Sequence, residues 1–228
     1  MPRSPMKSSV VLKALMALTG VYLLAFVFVH MLGNLPLLLP ESIGRPSFNA
    51  YAHALTSAPP IKVASGLTYL SVLVHAAVST ALWRKNAKAR PLPYATEQRN
   101  ANSPWYSRSM GLLGAATLAF IVLHMHTFWY RYHWGPIGYD SEGHKDLYEV
   151  VVTAFQEPWL VLVHVASIVL LGFHLQHGLA AALRSLGVHG VGFDRIAPRL
   201  SKWVAWGLTG PFIIIAIYVF FAFSGSAR

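Results

Sequence analysis

The sequence predicts an all-α integral membrane protein, a bundle of five transmembrane helices with short interfacial helices on the outer side. Of its 228 residues, 55% are hydrophobic and only 11% are charged, whereas soluble domains carry about 25% charged residues. Its apolar runs are each long enough to cross a hydrocarbon core about 30 Å thick. The net charge of +10 lies mostly in the segments between those runs, which favours membrane topology over nucleic-acid binding.

The apolar runs place the predicted spans at about residues 11–32, 61–83, 109–129, 158–183 and 201–223 of one domain, 1–228. The first run follows a basic start but exceeds the apolar region of a signal peptide, so we expect a retained helix. Pro158 suits the first turn of the fourth span. Apolar residues at helical spacing predict two short amphipathic helices, near 48–55 and near 147–155.

The distribution of lysine and arginine predicts the orientation. The N-terminal segment, the 84–108 linker and the 184–202 loop share one side and hold 13 of the 18 basic residues. Because basic residues collect in cytoplasmic loops, we expect a multi-pass protein of the inner (cytoplasmic) membrane. Its N-terminus would lie in the cytoplasm and its C-terminus outside.

The first and third spans share a sequence pattern that ends in a histidine. Met16, Leu18, Gly20, His30 and Met31 recur at one constant offset as Met110, Leu112, Gly114, His124 and Met125. A histidine inside lipid is costly and usually functional. Two histidines at matching places on two helices therefore suggest a shared ligand.

The depths of four histidines form two pairs. His30 and His124 lie about 25 Å from the inner boundary, whereas His75 and His174 lie about 14 Å deep. Haem iron in a b-type site needs two facing imidazoles, and a helix bundle can supply them. The absence of cysteine excludes thiolate-held iron–sulfur clusters and covalently attached haem within this chain.

Two other interpretations of these histidines stay open. Each side chain could simply hydrogen-bond a neighbouring helix, or a group of them could hold zinc, although zinc requires about four ligands in one place. His164 is a further candidate for the outer site, and His177 competes with His174 for the inner one. Asn34 and His53, in the outer segment, are candidate quinone contacts.

The chain resembles the single-polypeptide, dihaem cytochrome b anchor of succinate:quinone oxidoreductases, which include succinate dehydrogenases and fumarate reductases. The resemblance covers nearly the whole chain. It rests on Gly20-x9-His30, the 48–53 segment, His75 with its neighbours, Gly114-x9-His124, and His174-x3-Gly178 followed by Gly187.

This resemblance implies the cofactors and the partners. His30 and His124 would bind the distal haem b, and His75 and His174 the proximal one, with His174 favoured over His177. A flavoprotein carrying FAD and an iron–sulfur subunit would dock on the cytoplasmic face, and menaquinone or ubiquinone would accept the electrons. The dicarboxylate would be oxidised on a partner subunit, since this chain has no dinucleotide-binding motif and no acid/base cluster outside its spans.

Two rival functions remain at this point. The chain could be the cytochrome b anchor of a hydrogenase or a formate dehydrogenase, which would differ in the metals of its partner. It could also be a membrane transporter or anchor without cofactor, which would purify as a colourless protein.

Overall fold

The fold is a bundle of long helices, seen in a computed structural model that describes residues 9–89 and 104–224. Five helices are long and apolar enough to cross a membrane: Ser9–Leu38, Pro59–Lys88, Met110–Trp134, Pro158–Ser185 and Val191–Phe223. Within these described residues, extended structure amounts to one isolated antiparallel bridge between Tyr139 and Lys145. The predicted all-α fold with five membrane-spanning helices is therefore confirmed.

We number the helices in chain order. They are α1 (Ser9–Asn34, continued by a 3-10 turn at Leu35–Leu38), α2 (Glu41–Ser57), α3 (Pro59–Lys88), α4 (Trp105–Arg108), α5 (Met110–Trp134, with a π-helical turn at Met125–Tyr130), α6 (Leu147–Ala154), α7 (Pro158–Ser185) and α8 (Val191–Phe223). The short helices α2 and α6 contact each other. They are the two amphipathic helices that the sequence predicts.

The last helix begins earlier than the apolar run alone predicts, at Val191 rather than near residue 201. Gly190 precedes it with φ +129°, a conformation that disfavours side chains with a Cβ. The N–H of Asp194 donates to the carbonyl of Gly190 at 2.8 Å, and the Asp194 carboxylate pairs with Arg184 at 3.0 Å. These polar contacts extend α8 beyond its apolar part and tie its start to the end of α7.

Helix α7 lies at the centre of the bundle, where it packs against α1, α5 and α8, and α1 also packs against α3. Large apolar side chains on the outer faces are exposed: Leu73 is 68% accessible and Leu112 is 72% accessible. Such an apolar exterior suits contact with lipid rather than water. Consequently, the four histidine-bearing helices enclose the interior in which their imidazoles meet.

Helices α2 and α6 cover one end of this bundle, which we call the outer cover (residues 41–57 and 137–155). A buried apolar cluster joins this cover to α5 and α8; it contains Leu37, Phe48, Phe128, Tyr148, Val150, Val151, Val152, Phe155, Ile215, Ala216 and Val219. Phe128 also touches the ring of His124, at 5.0 Å between centroids. The outer cover thus packs directly above the outer histidine pair.

The predicted orientation rests partly on basic residues in segments 1–8, 90–103 and 225–228, which lie outside the described residues. The orientation stays a prediction.

Candidate functional site

The outer pair joins the first and third membrane helices. The rings of His30 on α1 and His124 on α5 face each other with centroids 5.8 Å apart and planes at 87°. Aromatic rings enclose His30, with Phe26 stacked at 5.5 Å and Phe212 at 5.4 Å. These aromatic rings give His30 an apolar surrounding.

The inner pair joins the second and fourth membrane helices. His75 on α3 and His174 on α7 lie 6.3 Å apart between ring centroids, with planes at 67°. The Nδ1 atom of His75 is 3.0 Å from the Thr19 hydroxyl oxygen. That hydroxyl already donates to the carbonyls of Leu15 and Met16, so its oxygen accepts a hydrogen bond from the Nδ1–H of His75. The hydrogen bond fixes the His75 tautomer and leaves Nε2 free of hydrogen.

Two glycines border the inner pair at close range. A Cβ atom at Gly20 would lie 3.3 Å from Cε1 of His75, and one at Gly114 would lie 3.7 Å from Cε1 of His174. Helix α1 therefore places Gly20 at the inner level and His30, ten residues later, at the outer level. The rise of an α-helix places Gly20 and His30 about 15 Å apart along the helix axis.

Both pairs fit the requirements of a haem iron with two axial histidines. Metal–imidazole bonds of about 2 Å on opposite sides of one metal hold the ring centroids about 6 Å apart. The observed separations are 5.8 Å and 6.3 Å. His124 and His174 each bury an Nδ1 atom that has no hydrogen-bond partner among the described residues. A neutral imidazole offers one ring nitrogen to iron and keeps its proton on the other, so these Nδ1 atoms would carry the protons if Nε2 bound the iron.

The zinc interpretation finds no ligand set in the described part of the chain. Across residues 9–89 and 104–224, no group of three or more histidine, cysteine, aspartate or glutamate side chains is placed to hold a metal ion. A bis-histidine haem requires only two protein ligands at each iron, so this observation is compatible with haem.

The two alternative histidines, His164 for the outer site and His177 for the inner site, differ in their positions. His164 is almost fully buried, 2% exposed, and its ring lies 5.8 Å from that of His124. His75 meets His174 across the bundle, whereas His177 lies one turn further along α7. The sequence names His164 as a further candidate for the outer site, and the structure places its ring beside that of His124. The ring contact itself depends on how α5 and α7 are rotated against each other.

The candidate quinone contacts are already engaged by nearby groups. Asn34 donates to the carbonyl of His30 at 2.8 Å and lies 3.5 Å from its Nδ1. His53 is exposed and its ring lies 4.8 Å from that of His144. Asn34 therefore borders the outer pair, whereas His53 lies on α2 in the outer cover.

A polar network holds the outer cover together. The Arg45 guanidinium contacts Glu41, Asp146 and Glu149. Burial works against its charge, but these carboxylates outweigh that effect and raise the pKa of Arg45. Burial also raises the pKa of Tyr148 to about 12. Arg45 thus stays charged and Tyr148 neutral at physiological pH.

Comparisons of this chain with protein-family models, with curated proteins and with solved structures give no match.

Proposed function

We propose that this chain is the membrane-anchor cytochrome b of a succinate:quinone oxidoreductase. The observation that carries the proposal is the meeting of four imidazoles from four helices as two facing pairs at two depths. A transporter or inert anchor has no need of two such pairs, each enclosed by apolar helices. The resemblance of the sequence motifs to the dihaem anchors supports the same function.

The residues divide the task between the two levels. His30 and His124 would hold the distal haem b, and His75 and His174 the proximal one. Haem b at these positions would supply one-electron transfer across the bilayer, between an iron–sulfur partner and a quinone. Thr19 orients His75 by accepting a hydrogen bond from its Nδ1–H. Gly20 leaves the space that the His75 ring requires.

The partners in this proposal come from the resemblance to the dihaem anchors. Its described residues offer no cluster suited to an iron–sulfur centre, and its sequence has no dinucleotide-binding motif. A flavoprotein with FAD and an iron–sulfur subunit would oxidise the dicarboxylate on the cytoplasmic side. Menaquinone or ubiquinone would be the membrane substrate, and the protein would lie in the inner membrane with its N-terminus in the cytoplasm.

The experiment is to purify the detergent-solubilised chain and quantify haem from a dithionite-reduced minus oxidised spectrum. We expect two b-type haems per chain, and one in His30→Ala or in His75→Ala. The two single variants should lose different spectral components. A colourless protein would contradict the proposal, and co-purification with a nickel or molybdenum subunit would favour the hydrogenase or formate dehydrogenase anchor instead.

A further inference from the structure

Two buried imidazole nitrogens lie side by side at the outer level, each without a partner among the described residues. They are Nδ1 of His124 and Nε2 of His164. Their rings are 5.8 Å apart between centroids and tilted by 56°. A buried polar atom without a hydrogen bond costs about 1–3 kcal/mol. One hydrogen bond between these two nitrogens would satisfy both.

The protonation of His164 is determined by its own helix. Its Nδ1 lies 2.8 Å from the carbonyl oxygen of Leu160. A carbonyl only accepts, so Nδ1 carries the proton and donates. A neutral imidazole has one N–H, and Nε2 of His164 is therefore an acceptor with its lone pair inside the bundle. This tautomer is assigned from the hydrogen-bond network.

His124 can supply the hydrogen-bond donor that this acceptor requires. If His124 presents Nε2 toward His30, its Nδ1 carries the proton and needs an acceptor. An N–H···N bond between two imidazole edges places their centroids about 5.2 Å apart. The observed separation of 5.8 Å is about 0.6 Å longer, so the bond forms when the two rings approach each other by that amount.

We propose that His164 is a positioning residue for His124, accepting a hydrogen bond from its Nδ1 through Nε2. The inference rests on the proposed function, because its purpose is to orient an axial ligand of the outer haem. The resulting chain runs from the Leu160 carbonyl through His164 to His124. It fixes the His124 ring and makes it a stronger electron donor to iron, which lowers the midpoint potential of the outer haem.

Packing alone would give His164 a different role. Its ring lies among Phe120 at 5.1 Å, Phe128 at 5.6 Å and Phe155 at 5.1 Å. If the residue only fills this aromatic pocket, phenylalanine should replace it without consequence. If its Nε2 accepts from His124, phenylalanine fills the pocket but removes the acceptor. The two roles therefore separate in one variant.

The test uses His164→Phe and His164→Gln, with His126→Phe as the control. Glutamine places a carbonyl oxygen near the position of Nε2 and can accept from His124. His126 is on the same helix as His124 but is exposed and stacks on Tyr130 at 5.8 Å. Each purified variant is titrated electrochemically and examined by electron paramagnetic resonance. The outer component is the one that disappears in His30→Ala.

We expect His164→Phe to keep two haems per chain, with an upward shift of the outer midpoint potential and a changed low-spin signal. The inner potential should not move. His164→Gln should return the outer potential toward that of the parent, and His126→Phe should match it. Equal outer midpoint potentials in His164→Phe and the parent would overturn the inference and leave the proposed function standing. The same conclusion would follow if His164→Gln had the same outer potential as His164→Phe. A parent chain without haem would overturn both.

Discussion

The outer cover depends on one fully buried asparagine, and replacing it tests how firmly this cover is attached. The Asn49 side chain is inaccessible to solvent. Its amide donates to Asp146 at 2.9 Å and to Asp140 at 3.1 Å. Its oxygen accepts from the backbone N–H of Tyr148 at 2.9 Å. Asn49→Ala removes these three bonds, and Arg45 remains to join α2 to Asp146.

The expected loss follows from what each partner retains. Asp146 still has Arg45 and the N–H of Glu149, whereas the buried N–H of Tyr148 loses the acceptor that Asn49 supplies. One stranded donor and two weakened carboxylate contacts amount to about 3 kcal/mol. For a chain of this size, that loss lowers the midpoint of thermal unfolding by about 6–12 °C.

The assay is thermal unfolding of the detergent-solubilised protein, followed by tryptophan fluorescence. The matched control is Ser57→Ala on the same helix, because among the described residues its exposed hydroxyl bonds just the His53 carbonyl, at 2.7 Å. Such a surface change stays within about 0.5 kcal/mol. An Asn49→Ala midpoint within about 2 °C of the parent would refute the role assigned to this network.

Three further predictions concern the inner pair and the outer cover. Gly20→Leu should lower the haem content from two per chain to one by removing the inner haem alone. The new side chain would occupy the place of the His75 ring, which lies 3.3 Å from the Cβ position. The control Gly66→Ala, at a position with open space around it, should keep both haems. Thr19→Val removes the acceptor for His75 Nδ1 and should weaken retention of the inner haem about 10–100-fold, measured by transfer to a haem-scavenging protein; unchanged retention would contradict this role. Desolvation opposes ionisation of Asp140, but hydrogen bonds from His144, Asn49 and Glu142 outweigh it and lower its pKa below 3.8. The contribution of Asp140 to stability is therefore complete above pH 3.8 and is lost as the pH falls through the lowered pKa. Protease cleavage of the outer cover should increase over that pH range, and Asp140→Asn should abolish this pH dependence.

The number and type of the spans could be predicted from the sequence because hydrocarbon imposes a simple length and composition rule. The partners of His30 and His75 were predicted from depth alone, and the structure places the same rings opposite each other. Depth is read from helix rise, which is nearly constant along a span. For this reason, the depth of each histidine along its helix was enough to match histidines on different helices.

Contacts that depend on helix rotation were not predictable in this way. Thr19 and His75 belong to different helices, and no spacing in the sequence relates them. The approach of His164 to His124 likewise depends on the register of α5 against α7. The early start of α8 was missed because Asp194 and its neighbours are typical of a loop, and only the pairing with Arg184 makes the extra turns favourable.

The repeated pattern of the first and third spans has a structural reason that the sequence alone does not reveal. In α1 and in α5, a glycine borders the inner pair and a histidine ten residues later belongs to the outer pair. Two residues ten positions apart differ by about 80° around the axis of an α-helix, so they lie on neighbouring faces. One helix can therefore contact two partners at once: α1 presents Gly20 to α3 and His30 to α5, while α5 presents Gly114 to α7 and His124 to α1. The glycine-to-histidine spacing thus couples the two levels, because it determines both the separation of the pairs and the directions from which their ligands come.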